Sequence, residues 1–299
     1  MKILLFGKKG QVGWELNRSL LPLGDVVALC KDEADFSEPE KLRKIVSSLA
    51  PDIIVNAAAY TAVDNAEENE GVAFRVNAAS PGVLAEEALK LNALLIHYST
   101  DYVFDGTKKT LYTESDAADP VNAYGRTKLA GEKAIQASGC AYLIFRTSWV
   151  YAGRGNNFLL TILKSIKEKK ELDIVSDQIG APTSARLIAD TTSQCLMLAI
   201  QEMLTGHFIS ELYHLSASGT TSWHGFSEEI VRVARLHNYP LKIERVNRVL
   251  SSDYPVSANR PLSSLLSTKK LQNKFKVTLP DWKISLDMCL QEIGYFGPE

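Results

Sequence analysis

Short apolar runs alternate with helix-length amphipathic stretches through the first half of the chain. KILLF (2–6), DVVALC (25–30), DIIVNAA (52–58), ALLIHYST (93–100) and AYLIFRTSWVY (141–151) read as five strands, rich in Val, Ile and Leu. Between them, apolar positions recur at helical spacing over 11–21, 38–49, 70–77, 80–91 and 122–138. Pro22 and Gly24 help to stop the first helix, and Pro51 follows the second. Nearly continuous apolar strands separated by helices predict an α/β fold, a doubly wound, Rossmann-like parallel sheet.

After about residue 150 the rhythm changes. Helices are predicted over 156–170, 187–203, 222–238 (with Ser222 as N-cap) and about 281–293, with a loop at QIGAPTS (178–184) and strand material at ELYHLSA (211–217). The expected division is a sheet domain over 1–150 and a smaller C-terminal α/β lobe over 151–299. Later segments such as 187–203 can pack back onto the first domain. A cleft is expected at the carboxyl ends of the strands.

Charge and composition narrow the partners. With 33 basic and 35 acidic residues the net charge is −2, which gives no general pull toward nucleic acid or a membrane surface. Phosphate recognition must therefore be local. Cys30, Cys140, Cys195 and Cys289 stand far apart, and His97, His207, His214, His224 and His237 form no ligand-like spacing. No apolar run nears the ~18 residues of a membrane span, and MKILLFGKKG is too short for a secretory leader. A soluble, cytoplasmic protein with reduced thiols is expected.

The first strand is followed at once by Gly7-Lys8-Lys9-Gly10-Gln11-Val12-Gly13 and then by a helix. Glycines at this point let the backbone approach a pyrophosphate, and the helix N-terminus favours the anion. The second strand ends Leu29-Cys30-Lys31 without a carboxylate for a ribose 2′-hydroxyl. Lys8, Lys9 and Lys31 instead suit a 2′-phosphate, so NADPH is expected over NADH, unless the strand runs on to Asp32 and Glu33. Asp35, Phe36 and Ser37 are placed beneath the adenine. Asn56, Ala57, Ala58 and Ala59 follow the third strand, where small residues serve either cofactor approach or helix–sheet packing. On this reading 1–150 binds NADP and 151–299 mainly binds substrate.

Tyr124 and Lys128 are four apart on the helix predicted over 122–138 and share a face. The fourth strand ends His97-Tyr98-Ser99-Thr100-Asp101-Tyr102, so a hydroxyl from Thr100 or Ser99 can reach the same substrate oxygen as the Tyr124 phenol. Bringing a phenol from its usual pKa near 10 to neutrality takes roughly 4 kcal/mol of phenolate stabilisation. The Lys128 charge and an oxidised nicotinamide would supply it. Lys128 can also hold the nicotinamide ribose, and both Tyr124 and Lys128 are counted with the cofactor contacts. Trp149, beside Tyr151 and before Gly153, offers a stacking surface for sugar or base. Arg260, in SANRPLSS, suits either a diphosphate clamp or an ordinary surface position.

The stretches LLFGKKGQVGWEL, PDIIVNAAAYTAVDNAE, IHYSTDYVFDG and AYGRTKLAGE resemble the extended short-chain dehydrogenase/reductase superfamily. FRTSWVYAGRGNNF, DQIGAPTSA and YHLSASGTTSWHGF narrow the resemblance to the dTDP-4-dehydrorhamnose reductase family. The resemblance implies Tyr124 as general acid, Lys128 as its modulator and Thr100 as the hydroxyl that orients a keto oxygen. It further implies a nucleotide-sugar substrate with Trp149, Asn156 and Asn157 beside it, feeding surface polysaccharide. Asp101 and Tyr102 are counted with these substrate contacts. In the 4,6-dehydratases of the superfamily two acidic residues follow the strand-end threonine; here Tyr102 replaces the second, favouring reduction. A dehydratase or epimerase and a non-catalytic NADP-binding subunit remain as alternatives.

Some relatives bind magnesium at a dimer contact through three acidic positions. Glu15 and Glu292 suit two of them, but Arg186 stands where the third carboxylate is expected. No metal is expected, Arg186 is expected to pair with both glutamates, and the chain is expected to be a monomer or homodimer.

Overall fold

The computed structural model describes residues 1–254 and 256–296. Its centre is one parallel sheet of six strands: β1 (Lys2–Phe6), β2 (Asp25–Leu29), β3 (Ile53–Asn56), β4 (Leu94–Thr100), β5 (Ala141–Thr147) and β6 (Glu211–His214), in the order β6-β5-β4-β3-β1-β2. Every residue of β3 and β4 is buried. Two helical layers account for this. Ile3, Leu5, Ile53, Val55 and Ile96 pack with Leu16, Ile188 and Leu196 on one face. Leu4, Phe6, Ile54 and Leu95 pack with Leu42, Val46, Leu84 and Ile135 on the other. Adjacent residues of each strand therefore enter different cores, so the strands read as unbroken apolar runs rather than alternating ones.

The chain winds from β1 to β2 in one direction and from β3 to β6 in the other. The crevice between the carboxyl ends of β1 and β3 is the switch point at which such sheets take ligands. A second core brings Tyr151, Leu159, Ile162, Phe226, Ile230, Trp282 and Leu286 together. They come from the helices Phe158–Glu168, Trp223–Leu236 and Trp282–Phe296 and the segment before the first of these. A parallel pair, Glu171–Val175 with Arg245–Val249, adjoins them.

Three local departures from the sequence pattern have physical causes. The fifth run stops at Thr147, because Trp149 takes a left-handed φ of 47° and turns the chain into the short strand Val150–Tyr151, paired with Thr183–Ser184. The ELYH segment joins the central sheet as β6, beside β5, rather than standing apart with the later residues. The region 63–91 is broken into Val63–Glu68, Glu70–Phe74, a π-helical turn Arg75–Ala79 and Ser80–Leu91. The wide turn is held by Asn77, whose side chain accepts from the Tyr60 N–H at 2.8 Å and donates to the Tyr60 carbonyl at 3.1 Å. Among the described residues no helix is long and apolar enough to cross a membrane.

Candidate active site

The glycine loop is shaped by contacts that exclude side chains. Gly7 has φ +89°, and a Cβ there would lie 2.9 Å from the Ala57 carbonyl. A Cβ on Gly13 would lie 2.1 Å from the Gly7 oxygen. The helix Gln11–Ser19 begins at Gly10, which has no side chain to cap it. The N–H groups of Gln11, Val12 and Gly13 find no acceptor among the described residues and open toward the crevice as an anion cradle. Gly13→Ala is expected to weaken NADPH binding more than about tenfold and destabilise the fold by about 1–3 kcal/mol, read by fluorescence titration and thermal melts.

A cavity of about 310 Å³ continues from this loop, lined by Lys31, Asp35, Phe36, Ser37 and Ala57 to Ala59 among others. Phe36 is buried edge-on against Phe6, with ring centroids 5.3 Å apart. Asp35 accepts the Ser37 N–H at 2.8 Å. β2 ends at Leu29, yet the carboxylates beyond it matter more than its length implies. Glu33 pairs with Lys8 and Asp32 with Lys9, each at 2.7 Å. Glu33 also accepts the Cys30 N–H at 2.8 Å, and these bonds draw its carboxyl down to about 2. Two of the three lysines read as phosphate partners are therefore already engaged. Lys31 makes no ion pair among the described residues and lines the cavity.

Tyr124 and Lys128 lie on the helix Ala123–Ala137, whose N-terminus is fixed from two sides. Asn122 accepts the Gly125 N–H and Glu67 the Ala123 N–H, at 2.8 and 2.7 Å. Gly125 lets the first turn sit against the Tyr102 carbonyl, where a Cβ would come within 2.1 Å. At the end of β4, Thr100 donates to Asp101 at 3.0 Å and accepts the Tyr102 N–H at 3.1 Å. Tyr102 meets Tyr124 edge-to-face at 5.8 Å. Burial pushes the Tyr124 phenol up to about 12; the nearby Thr100 hydroxyl favours phenolate and the Asp101 charge opposes it. Burial also raises the Asp101 carboxyl, to about 7.

The upward shift reverses the downward one expected from a neighbouring lysine, and the reason is where Lys128 points. Its amino group is buried against the Tyr98 carbonyl at 2.6 Å and His97 Nε2 at 3.1 Å, and burial lowers it to about 8. At neutral pH the phenol is thus protonated and able to donate.

Trp149 stacks flat on Trp223, centroids 3.5 Å apart and planes 3° from parallel. Gly180 permits this, since a Cβ there would fall 2.4 Å from the Trp149 ring. Asn156 is exposed. Asn157 caps the helix Phe158–Glu168, and its amide nitrogen donates to Gln11, Ala152 and Arg154, tying this loop to the glycine-loop helix. Arg260 forms a two-point pair with Asp64, at 3.1 and 2.7 Å, which fastens its loop to the helix Val63–Glu68. The side chains of Asn157 and Arg260 are therefore engaged within the protein.

Arg186 lies 3.6 Å from both Glu15 and Glu292, the two partners expected, and also 3.3 Å from Asp190. Among the described residues no three His, Cys, Asp or Glu side chains converge as a metal site.

Sequence reasoning passed over His97, Asn122 and Trp223, and weighed Asn56 only for cofactor approach or packing. Only Asn122 carried a local signal, as an N-cap residue before a helix. The others acquire their roles from partners 41 to 74 positions away, His97 from Asn56 and Trp223 from Trp149.

The family model described as "RmlD substrate binding domain" matches residues 1–294. A dTDP-4-dehydrorhamnose reductase of Burkholderia thailandensis is 50% identical over 295 residues, covering 98% of this chain and 99% of that protein. The structure of such a reductase from Clostridium acetobutylicum superposes with a TM-score of 0.88 at 33% identity, covering 98% of this chain and 99% of that one. Another, from Bacillus anthracis in complex with NADP, gives 0.87 at 31% identity, with 97% and 99% covered.

Proposed function

The chain belongs to the RmlD substrate binding domain family, and from that membership we infer that it is an NADPH-dependent reductase that converts dTDP-4-dehydro-L-rhamnose to dTDP-L-rhamnose. The observation that carries this reading is the shared crevice. An anion cradle free of side chains opens at β1, and a protonated phenol with a partner hydroxyl stands at the end of β4, two strands away in the same sheet.

The glycine loop and the N–H groups of Gln11, Val12 and Gly13 would hold the cofactor pyrophosphate, and Lys31 would meet the 2′-phosphate. Bound there, the reduced nicotinamide would supply hydride to the sugar C4. Thr100 orients the keto oxygen, and Tyr124 gives its phenolic proton to the oxygen as negative charge develops. The Trp149–Trp223 stack offers an apolar wall to the sugar or base. Tyr102 after Asp101 leaves no second carboxylate for a dehydration. The product serves surface-polysaccharide synthesis, and the free state of all four cysteines accords with action in the cytoplasm.

The reading is tested by following NADPH absorbance against a panel of nucleotide-linked 4-keto sugars. Stoichiometric oxidation with dTDP-4-dehydro-L-rhamnose supports it, and turnover without net NADPH loss contradicts it. Lys31→Ala is expected to lower kcat/KM with NADPH by about tenfold while leaving NADH nearly unaffected, the loss of one charge-assisted phosphate contact. An equal loss with both cofactors would remove Lys31 from the 2′-phosphate.

A further inference from the structure

A buried chain of hydrogen bonds runs from Ala58 to Lys128, and its direction is fixed by which atoms can donate. Asn56, His97 and Lys128 are each at most 1% exposed. The Ala58 N–H meets the side chain of Asn56 at 3.0 Å, so the atom it meets is the carbonyl oxygen. The amide nitrogen is then the atom 3.0 Å from His97 Nδ1, and it can only donate. Nδ1 accepts, so a neutral His97 carries its hydrogen on Nε2. Nε2 faces Lys128 Nζ at 3.1 Å. An ammonium has no lone pair and would set N–H against N–H, whereas an amine accepts there and still donates to the Tyr98 carbonyl at 2.6 Å.

We propose that Asn56 and His97 are positioning residues that hold Lys128 as a neutral amine in the ligand-free protein, and that loading the cleft with the anionic cofactor draws one proton from solvent onto it. The second clause rests on the reading of the cleft as an NADPH site.

The surroundings agree. Glu132, on the same helix, favours the ammonium, but Arg146 of β5 clamps it at 2.9 and 2.6 Å. Tyr98 presents its carbonyl, and its own hydroxyl is turned to Thr192. Asp101 and Tyr102 of the turn after β4 face Tyr124, Arg260 and Ser264. On the helices beyond, Glu67 and Glu70 face Arg126, Glu86 and Glu87 face Arg43, and Asp64 faces Arg260. Burial alone lowers Lys128 only to about 8, which would leave it mostly ammonium at pH 7. The neutral form therefore rests on the His97 bond, lost as the amine is protonated, drawing the titration below neutrality. Cofactor phosphates act oppositely.

Ring nitrogen–proton correlation spectra of histidine-labelled protein test the first clause directly, with His97 identified by its absence in His97→Gln. The expected result at pH 7 is the Nε2–H tautomer; an Nδ1–H tautomer or an imidazolium overturns the proposal. Asn56→Asp keeps the Ala58 bond but presents an acceptor to Nδ1, so His97 should change tautomer and the Lys128 titration should rise by more than about one pH unit. An unchanged tautomer overturns it, and if this variant does not fold the wild-type spectrum decides. Calorimetry of NADPH binding in two buffers of different ionisation enthalpy should show uptake of about one proton. Binding without uptake overturns the second clause and leaves the cofactor reading intact. Failure to bind NADPH overturns the cofactor reading and leaves the tautomer result standing.

Discussion

Replacing Tyr124 by Phe should lower turnover by about 10²–10⁴-fold, the usual contribution of a positioned general acid, while NADPH affinity is retained. The phenol carries its proton at neutral pH, with its titration pushed up to about 12, so it is loaded for donation before substrate arrives. Phe keeps the ring and its edge-to-face contact with Tyr102 but has no proton to give. Steady-state NADPH oxidation and a separate fluorescence titration measure the two effects. Wild-type turnover in the variant would remove Tyr124 from the chemistry. Loss of NADPH binding would instead assign it to the cofactor site.

The second large effect is on stability. Glu132 and Arg146 form a two-point pair in which the side chains are only 2% and 6% exposed. The pair bolts the Tyr124 helix to β5. Glu132→Ala leaves the guanidinium buried without its partner, beside an Nη1 that already has none. The expected cost is about 3–5 kcal/mol, a fall in thermal midpoint of roughly 10 °C for a chain of this size. Replacing both partners together, as Glu132→Met with Arg146→Leu, should recover most of the loss, because no buried charge is then left unpaired. Scanning calorimetry on the single and double variants separates an electrostatic fault from simple loss of packing.

Much of the fold could be read along the chain because its signals are local. The runs that became β1, β3 and β4 are buried on both faces, so each appears as an uninterrupted apolar stretch. The helix carrying Tyr124 was legible from its apolar spacing, although its Asn122 cap was passed over. β6 was harder to place, since a four-residue strand looks the same whether it joins the central sheet or a separate one; only its pairing with β5 decides. The strand expected through Tyr151 broke at Trp149 because a left-handed turn there lets the indole lie on Trp223, a partner 74 residues on.

The site was legible where glycine is required by close approach and where hydroxyls end a buried strand. It was not legible where a charge finds its partner across the fold. Lys8 and Lys9 look free in sequence and are paired with Glu33 and Asp32 in space. Lys128 looks as though it serves Tyr124, yet its amino group turns to His97 and the Tyr98 carbonyl. Arg260 looks like a substrate clamp and is held by Asp64. Helical spacing places two residues on one face, but the direction of a long flexible side chain depends on neighbours from other elements.

The most direct test of the central claim is the fate of the hydride. The protein is given NADPH deuterated on the transferred face at nicotinamide C4, together with dTDP-4-dehydro-L-rhamnose, and the product is read by NMR. One deuterium at C4 of dTDP-L-rhamnose, with one cofactor oxidised per product formed, is the predicted result. Product without deuterium at C4, or with the label kept on the cofactor, would contradict it.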